Sequence, residues 1–365
     1  MLKADVEVDR RDFTVRASIT AAPGERLALF GPSGAGKTTL LEAIAGLVYP
    51  RAGTVELAGR TLTRTSAPRV AVPPWQRRVG LLRQDPGLFP HLSVRENLGY
   101  ARSVDTHGGE LTELAGALGI GRLLDAMPAR LSGGQQHRVA LARLLLAHCD
   151  ALLLDEPYSG LDAALRRTLT GLVVNLVTQR GVPAVLVAHE LADAQAFATL
   201  MAVLDGGVIL QVGRPDQVVL RPASMRVAEL VGYLGFAAVP GRPGVVAGIH
   251  PDRVVIGAAD DPGSSPGLAL TGPVAASRPA GAGWEVELRL ADAQPAGSAV
   301  TCQLAERPGP DGSEVTVTAI DPPLFGADGS ALTPPDGPEF QADAAEPVAA
   351  HAASQPQLIR QRPDQ

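Results

Sequence analysis

The chain has 365 residues, 45% of them hydrophobic, which suffices for roughly two or three domains with sizeable cores and excludes a small disulfide-stabilised scaffold. Its 32 Lys and Arg against 38 Asp and Glu leave a net charge of −6, so no general basic surface is available to hold a nucleic acid backbone. We therefore predict no nucleic-acid partner.

Cys149 and Cys302 are the two cysteines, and neither has the spacing of a metal site, which favours a reducing cytoplasm. No apolar run resembles a signal peptide or reaches the length of a membrane span, so the chain is expected to be soluble. Strands and helices alternate over about residues 1–234, and this alternation predicts a doubly wound α/β core.

A glycine-rich loop follows the apolar strand at 26–30 and precedes a helical stripe that begins at Leu40. Glycines let backbone N–H groups turn inward at a helix N-terminus, where they can cradle a β-phosphate. Lys37 can then bridge the β- and γ-phosphates, and Thr38 can bind Mg²⁺. The loop matches the pattern GxxxxGK[ST], and we assign to the nucleotide site Gly31, Pro32, Ser33, Gly34, Ala35, Gly36, Lys37, Thr38 and the following Thr39.

A nucleotide site of this kind also needs acidic residues, which a second segment supplies. The four apolar residues 151–154 predict a buried strand, and Asp155 and Glu156 follow it directly. Asp155 can hold the metal, while Glu156 can polarise a water molecule that attacks the γ-phosphorus. The alternative, in which these acids cap the next helix, is plausible for one of the two residues.

The pentapeptide Leu-Ser-Gly-Gly-Gln at 131–135 lies between the two elements and resembles the signature of the ATP-binding cassette (ABC) ATPases. Gln84, the D-loop at 159–162 and His189 follow the order of further motifs of that family. The resemblance covers about residues 1–230. It implies an ABC cassette with a P-loop NTPase core and a helical subdomain at about 85–150.

The resemblance also assigns roles. It implies that Gln84 contacts Mg²⁺ and the attacking water, and that His189 contacts the γ-phosphate. It further implies a head-to-tail homodimer in which the signature of each subunit covers the ATP of the other, with these residues completing the nucleotide site: Ser132, Gly133, Gly134, Gln135 and Asp162. Physically, the signature is a second helix N-terminus suited to an anion, and the alternative is an ordinary N-cap at Ser132.

Two positions depart from the common family pattern. Phe13, the N-terminal candidate for stacking on adenine, alternates with Val15 and Ile19, so we predict that it faces the core and leave adenine stacking unassigned. His137 stands in the signature helix where Gln or Arg is more usual.

The segments at 72–80 and 88–100 resemble importer ATPases, most closely those of molybdate importers. This implies a peripheral subunit on the cytoplasmic face of the cell membrane, with two permease subunits and an external substrate-binding protein. Sulfate, ferric iron and polyamine importers share the layout. A soluble ABC protein acting on ribosomes or DNA is disfavoured by the single cassette and the negative charge.

The remaining chain changes character. Apolar and polar residues alternate over 284–290 and at 300–304 and 315–319, which predicts a small β-barrel regulatory domain at 235–330 that resembles the TOBE or Mop type. Few large apolar residues follow, so we predict a disordered tail at 331–365.

Overall fold

The computed structural model describes residues 1–100, 109–158, 160–256, 267–281, 283–289 and 299–332. Ser159 of the predicted D-loop, Leu290 and residues 333–365 of the predicted tail lie outside this range. The described strands are β1 (Leu2–Asp9), β2 (Thr14–Ala21), β3 (Arg26–Phe30), β4 (Ala52–Leu57), β5 (Arg60–Arg64), β6 (Val70–Ala71), β7 (Val79–Leu82), β8 (Ala151–Asp155), β9 (Ala184–Ala188), β10 (Leu200–Asp205), β11 (Val208–Gly213), β12 (Phe236–Ala238), β13 (Val246–Gly248), β14 (Val254–Ile256), β15 (Gly267–Ala280), β16 (Gly283–Arg289), β17 (Ala299–Leu304), β18 (Glu314–Ile320) and β19 (Leu324–Phe325). The α-helices in the same residues are α1 (Lys37–Ala45), α2 (Val94–Gly99), α3 (Gly109–Ala117), α4 (Gly133–Leu146), α5 (Ala163–Arg180), α6 (Leu191–Phe197), α7 (Pro215–Leu220) and α8 (Met225–Leu230).

The strands of the first 213 residues form one mixed sheet in the described part of the chain, with the order β6-β5-β4-β1-β2-β11-β10-β3-β9-β8-β7. Strands β10, β3, β9, β8 and β7 pair parallel with one another, while β10 pairs antiparallel with β11 on its other side. The strands β6, β5, β4, β1 and β2 pair antiparallel. The parallel half is the doubly wound core that the alternating pattern predicts.

Strand periodicity divides the core into two layers. In β3, Leu27 and Leu29 belong to the apolar cluster that contains helix α1, while Ala28 and Phe30 belong to the cluster that contains α4, α5 and α6. Successive strand residues point to opposite faces, so a run that is apolar throughout is buried on both sides. Helices therefore cover both faces of the parallel strands.

Helices α2, α3 and α4 form a compact region beside β7. Ser93 caps α2, with its hydroxyl accepting from the Glu96 N–H and the Glu96 carboxylate accepting from the Ser93 N–H, a complete capping box. Asn97 in α2 is fully buried and donates to the carbonyl oxygens of Phe89, Leu92 and Ser93. This side chain therefore fixes the segment that connects β7 to α2.

Two smaller sheets follow in the described residues, with the orders β12-β13-β19 and β14-β18-β15-β16-β17. The five-stranded sheet encloses its own apolar cluster, to which Val286, Cys302 and Val317 contribute fully buried side chains. The three-stranded sheet instead places Phe236 and Phe325 in the same apolar cluster as α7 and α8. The C-terminal strands therefore pack directly against the end of the first part of the chain.

The predicted start of the tail needs a correction. The N–H of Ala331 donates to Ala223, and the N–H of Leu332 donates to Leu324, so these two residues are part of the folded structure. Backbone hydrogen bonds to two separate segments hold them, which composition could not reveal. Within the described residues, no helix is both long enough and apolar enough to cross a bilayer.

Candidate functional site

The predicted site residues follow neighbouring parallel strands. The loop at Gly31 follows β3, His189 follows β9, Glu156 follows β8 and Gln84 lies two residues beyond β7. These strands are adjacent in the order β3-β9-β8-β7, and their ends lie within one residue of register with each other. All four chain segments therefore leave the sheet at its carboxyl edge, which is where open parallel sheets bind ligands.

The loop requires glycine at two positions. Gly31 has φ 152°, and a Cβ on it would stand 1.9 Å from the carbonyl oxygen of Leu204. Gly36, the residue before α1, has φ 104°, and a Cβ there would lie 2.5 Å from Cγ2 of Val15. Neither contact is compatible with a side chain. Between the two glycines, Ser33 and Gly34 are exposed at the tip of the loop, while Ala35 is buried.

The Lys37 ammonium lies across the loop at the start of α1. Its Nζ donates to the carbonyl oxygens of Gly31 at 2.6 Å and Pro32 at 2.8 Å. Burial lowers the pKa of Lys37, and the charges of Glu156 and Asp155 oppose that shift. The sheet edge therefore carries a nearly buried cation beside two carboxylates, and a polyanion could be recognised by that cation.

Thr38 and Asp155, each assigned to the metal from the sequence, are hydrogen-bonded to each other. The Thr38 hydroxyl donates to Oδ1 of Asp155 at 3.1 Å, joining the first turn of α1 to the end of β8. Burial raises the pKa of Asp155, and the hydrogen bond from Thr38 partly offsets it. A hydroxyl and a carboxylate are the oxygen donors that Mg²⁺ prefers, so these residues fit that ion. The described residues contain no group of three or more His, Cys, Asp or Glu side chains that could hold a metal.

Glu156 and His189 also come together. His189 Nδ1 lies 3.8 Å from Glu156 Oε2, and its Nε2 lies 3.7 Å from Oε1 of Glu190. Glu156 has a backbone φ of 49°, a conformation that costs a non-glycine residue energy and is common at functional sites. Gln84 is exposed in the bend after β7, and no side-chain contact joins it to the other site residues in the described part of the chain.

The signature segment and the D-loop are helix caps in this structure. Ser132 caps α4 through a capping box: its hydroxyl accepts from the Gln135 N–H, and its own N–H donates to the Gln135 side chain. Asp162 caps α5, and the hydrogen bonds from Leu165 and Ala164 lower the pKa of its carboxyl. Ser132 and Gly133 are exposed, and Gly134 and Gln135 are partly buried. The N-cap alternative for Ser132 is thus realised within one chain.

The prediction for Phe13 is only partly right. Its ring is half-buried against the core, but its Cε2 also lies 3.4 Å from the position that a Cβ on Gly36 would occupy. Phe13 precedes the first residue of β2, so strand alternation does not govern its direction. The ring therefore borders the phosphate loop.

Sequence reasoning missed two polar contacts. Arg10 donates through Nε to the Thr39 hydroxyl at 2.8 Å and pairs with Glu42 of α1 at 2.8 Å. His137 of α4 is buried and hydrogen-bonds the backbone of Pro157, next to Glu156. Arg10 precedes Thr39 by 29 positions, so no local motif could have indicated the contact.

Comparisons with known proteins agree with this geometry. Residues 15–159 match the family model of the ABC transporter. The chain is 41% identical over 217 residues to an Fe(3+) ions import ATP-binding protein, FbpC, and 38% identical over 237 residues to a Molybdenum import ATP-binding protein, ModC, both of Mesorhizobium japonicum. It is 37% identical over 253 residues to the Glucose import ATP-binding protein GlcV of Saccharolobus solfataricus.

These alignments cover 59%, 64% and 66% of this chain, and 59%, 63% and 71% of the respective relatives. The chain therefore spans about three fifths of the length of the first two. Among solved structures, a dimeric ATP-binding cassette in a post-hydrolysis state, bound to ADP and Pi, matches with a TM-score of 0.50 and 26% identity. That match covers 59% of this chain and 99% of the other.

The parallel sheet, the phosphate loop and the strand-end acids define a P-loop cassette, and the solved structure confirms this predicted fold. The chain belongs to the ABC transporter family, as an ATP-binding cassette protein. The names of its relatives refer to the import of ferric iron, molybdenum and glucose. These similarities therefore do not single out molybdate, the substrate that the sequence resemblance favours.

Proposed function

We propose that this chain is the ATP-hydrolysing subunit of an ABC importer, peripheral to the cytoplasmic face of the membrane. The observation that carries the proposal is the alignment of four elements at one sheet edge: the loop at Gly31, His189, Glu156 and Gln84. ATP hydrolysis needs a phosphate cradle, a base for water and a donor to the γ-phosphate, and these elements supply them.

The phosphate loop would bind the β- and γ-phosphates of ATP. Its inward N–H groups and the N-terminus of α1 favour negative charge, and Lys37 is already held at the loop by Gly31 and Pro32. Thr38 and Asp155 would hold Mg²⁺, which would neutralise phosphate charge. Phe13, bordering Gly36, is our candidate for the surface on which adenine stacks.

Glu156 is the proposed general base. Its carboxylate follows the buried strand β8 and would accept a proton from the water that attacks the γ-phosphorus. His189, 3.8 Å away from it, would donate a hydrogen bond to a γ-phosphate oxygen, and Gln84 would orient the water from the neighbouring strand end. The exposed position of Gln84 requires the bend after β7 to close over the nucleotide.

A second copy of the chain would complete each site. Ser132 and Gly133 are exposed at the N-terminus of α4, a helix of 14 residues. In a head-to-tail homodimer this N-terminus, with Gly134, Gln135 and the nearby Asp162, would contact the ATP bound to the loop of the partner. ATP would then hold the dimer together, and hydrolysis would release it.

The groove beside α4 is the proposed contact with the permease subunits. It has a volume of about 600 Å³ and includes Phe89, Leu144 and the exposed rings of Trp75 and Tyr100. Arg143 of α4 lies over the Phe89 ring and donates to the Pro86 carbonyl oxygen, so the groove is tied to the segment that follows Gln84. A short cytoplasmic helix of a permease would fit here. A movement of that helix would displace the segment after Gln84, and with it Gln84 itself.

We propose molybdate or a related oxyanion, delivered by an external binding protein, because the segments at 72–80 and 88–100 resemble molybdate importers. In the source organism, loss of this chain should lower uptake of labelled molybdate and leave sulfate and ferric-iron uptake unchanged. Loss of sulfate or ferric-iron uptake instead would assign the importer to that substrate.

The hydrolysis itself is tested with one conservative change. Glu156→Gln removes the base while keeping size and polarity, so ATP turnover should fall by a factor of roughly 100 or more. Glu229→Gln, at an exposed position on α8, is the matched control and should keep near-normal turnover. Undiminished turnover in Glu156→Gln would remove Glu156 from the proposed role.

A further inference from the structure

A cavity lies where the cassette part of the chain meets the C-terminal strands. It has a volume of about 490 Å³, within the range of roughly 300–1,000 Å³ that small-molecule sites occupy. Arg221, which follows α7, forms one side, and Asp321, between β18 and β19, forms another. We call it the junction cavity. It is separate from the sheet edge that carries the phosphate loop.

Two guanidinium groups pair with one carboxylate of this cavity, and a further arginine lines it. Arg221 Nη2 lies 2.8 Å from Asp321 Oδ2, and Arg253 Nη2 lies 3.8 Å from the same oxygen. Arg242 lines the cavity, is exposed and forms no ion pair with the residues that the structure describes. Asp252, the chain neighbour of Arg253, pairs with none of these arginines in the described residues. Among the described residues that line the cavity or pair with its carboxylate, positive charge therefore exceeds negative charge, and Arg242 is exposed to a ligand.

The backbone holds the carboxylate in place. Asp321 has φ 42°, an energetically costly conformation for a non-glycine residue, and its carbonyl oxygen also accepts from Arg253 Nη1 at 3.5 Å. Such a conformation persists only where surrounding contacts enforce it. Asp321 and its pairing with Arg221 are thus in place in advance of any ligand.

The rest of the wall is largely apolar. Val239, Leu268 and Leu324 face the cavity, together with the prolines at 222, 322 and 323. A convergent cationic group on an otherwise apolar concave wall is the usual form of a site for a small organic acid. An inorganic anion would leave this apolar surface uncovered.

We propose that the junction cavity binds a small organic anion, with one acid group on an apolar body. Arg242 and Arg221 hold the acid group, and Leu268 and Leu324 contact the body. Arg221 belongs to the cassette part and Arg242 to the C-terminal part, so a bound ligand joins the two. It also stabilises the folded protein, because it binds that state alone.

The test uses the full chain without nucleotide, so its outcome is independent of the proposed ATP hydrolysis. The probes are phenylacetate and phenyl phosphate. Two partial mimics accompany them: 2-phenylethanol lacks the acid group, and inorganic phosphate lacks the apolar body. Saturation-transfer NMR of the aromatic probes measures binding, and displacement of a probe measures competition. We expect the two organic anions to compete with each other and to bind about tenfold more tightly than either partial mimic, since a charge-assisted hydrogen bond and the apolar contact are both needed.

Arg242→Ala is the decisive variant, because Arg242 is exposed and its loss should leave the melting temperature unchanged. It should weaken both organic anions by about tenfold. Arg289→Ala, an exposed arginine of β16 that does not line the cavity, is the matched control and should bind like the unmodified chain. Binding that survives in Arg242→Ala would overturn the proposal, as would equal binding of 2-phenylethanol or no anion binding up to about 10 mM.

Discussion

Arg77 is a buried arginine that holds the end of the phosphate-loop helix. It is 3% exposed, and its Nη1 donates to the carbonyl oxygens of Ile44 at 2.8 Å and Ala43 at 3.3 Å, both in the last turn of α1. Its Nε donates to Val72 at 2.8 Å and its Nη2 to the Thr63 hydroxyl at 2.8 Å. A cation at a helix C-terminus is favourable, and this one carries no carboxylate partner among the described ion pairs.

Replacing Arg77 with Met should destabilise the protein markedly. The change removes all of these hydrogen bonds and takes this donor from the Ile44 and Val72 carbonyl oxygens, at about 1–3 kcal/mol each, while Ala43 keeps its hydrogen bond from the Gly46 N–H and the apolar stem of Met retains part of the packing. We expect a net loss of about 2–4 kcal/mol in the free energy of unfolding. Arg77→Lys keeps the charge but not the fork of donors, so it should lose about half as much.

The neighbouring Arg78 provides the control. Its side chain is 61% exposed and pairs with Asp150 at 3.0 Å, so Arg78→Met should cost less than about 1 kcal/mol. Urea unfolding followed by far-ultraviolet circular dichroism measures all three variants. A loss below about 1 kcal/mol in Arg77→Met, or an equal loss in Arg78→Met, would refute the assignment of Arg77 as the main support of α1.

Three further changes test other parts of the account. Asn97→Ala removes a side-chain donor to three partly buried carbonyl oxygens before α2 and should lower the free energy of unfolding by about 1–3 kcal/mol in urea, with normal stability contradicting its role. Gly31→Ala places a Cβ 1.9 Å from a backbone oxygen of β10 and should abolish ATP binding in calorimetry, whereas Gly171→Ala, on the open face of α5, should raise stability by about 0.5–1 kcal/mol. Burial lowers the pKa of His137, so the unfolded chain takes up its proton first and stability should fall as the pH drops below about 6.5. His137→Gln should reduce that fall between pH 7.5 and pH 5, and an unchanged pH profile would count against a buried neutral imidazole.

The local parts of the site could be predicted from the sequence. The loop from Gly31 to Thr38 is contiguous, and its glycines, lysine and threonine each have a separate chemical reason to be there. The meeting of Thr38 with Asp155 follows from one rule, that the carboxyl ends of all parallel strands of a sheet lie at the same edge, here with β9 between β3 and β8. The N-cap at Ser132 could also be predicted from the sequence, because Gln135 stands at the third position of its helix, as in a capping box.

The remaining features depend on distant segments. Arg77 caps a helix that ends 32 positions before it, and nothing near it in sequence marks it as buried. Phe13 lies in a connection, where strand alternation no longer predicts direction. The junction cavity joins Arg221 to Asp321, which are 100 positions apart, and such a contact depends on how the C-terminal strands pack. Tertiary packing, which no local pattern encodes, decides all of these.

The central claim is that ATP lies between the phosphate loop of one subunit and the signature helix of its partner. Light scattering of the Glu156→Gln chain with Mg²⁺ and ATP tests it directly, with Ser132→Asp added in the same background. Asp is as good an N-cap as Ser, so α4 stays intact while a negative charge meets the phosphates. We expect an ATP-dependent dimer that Ser132→Asp abolishes and that Ser93→Asp, the same change at the cap of α2, preserves. A monomer with and without ATP, or a dimer indifferent to Ser132→Asp, would contradict the claim.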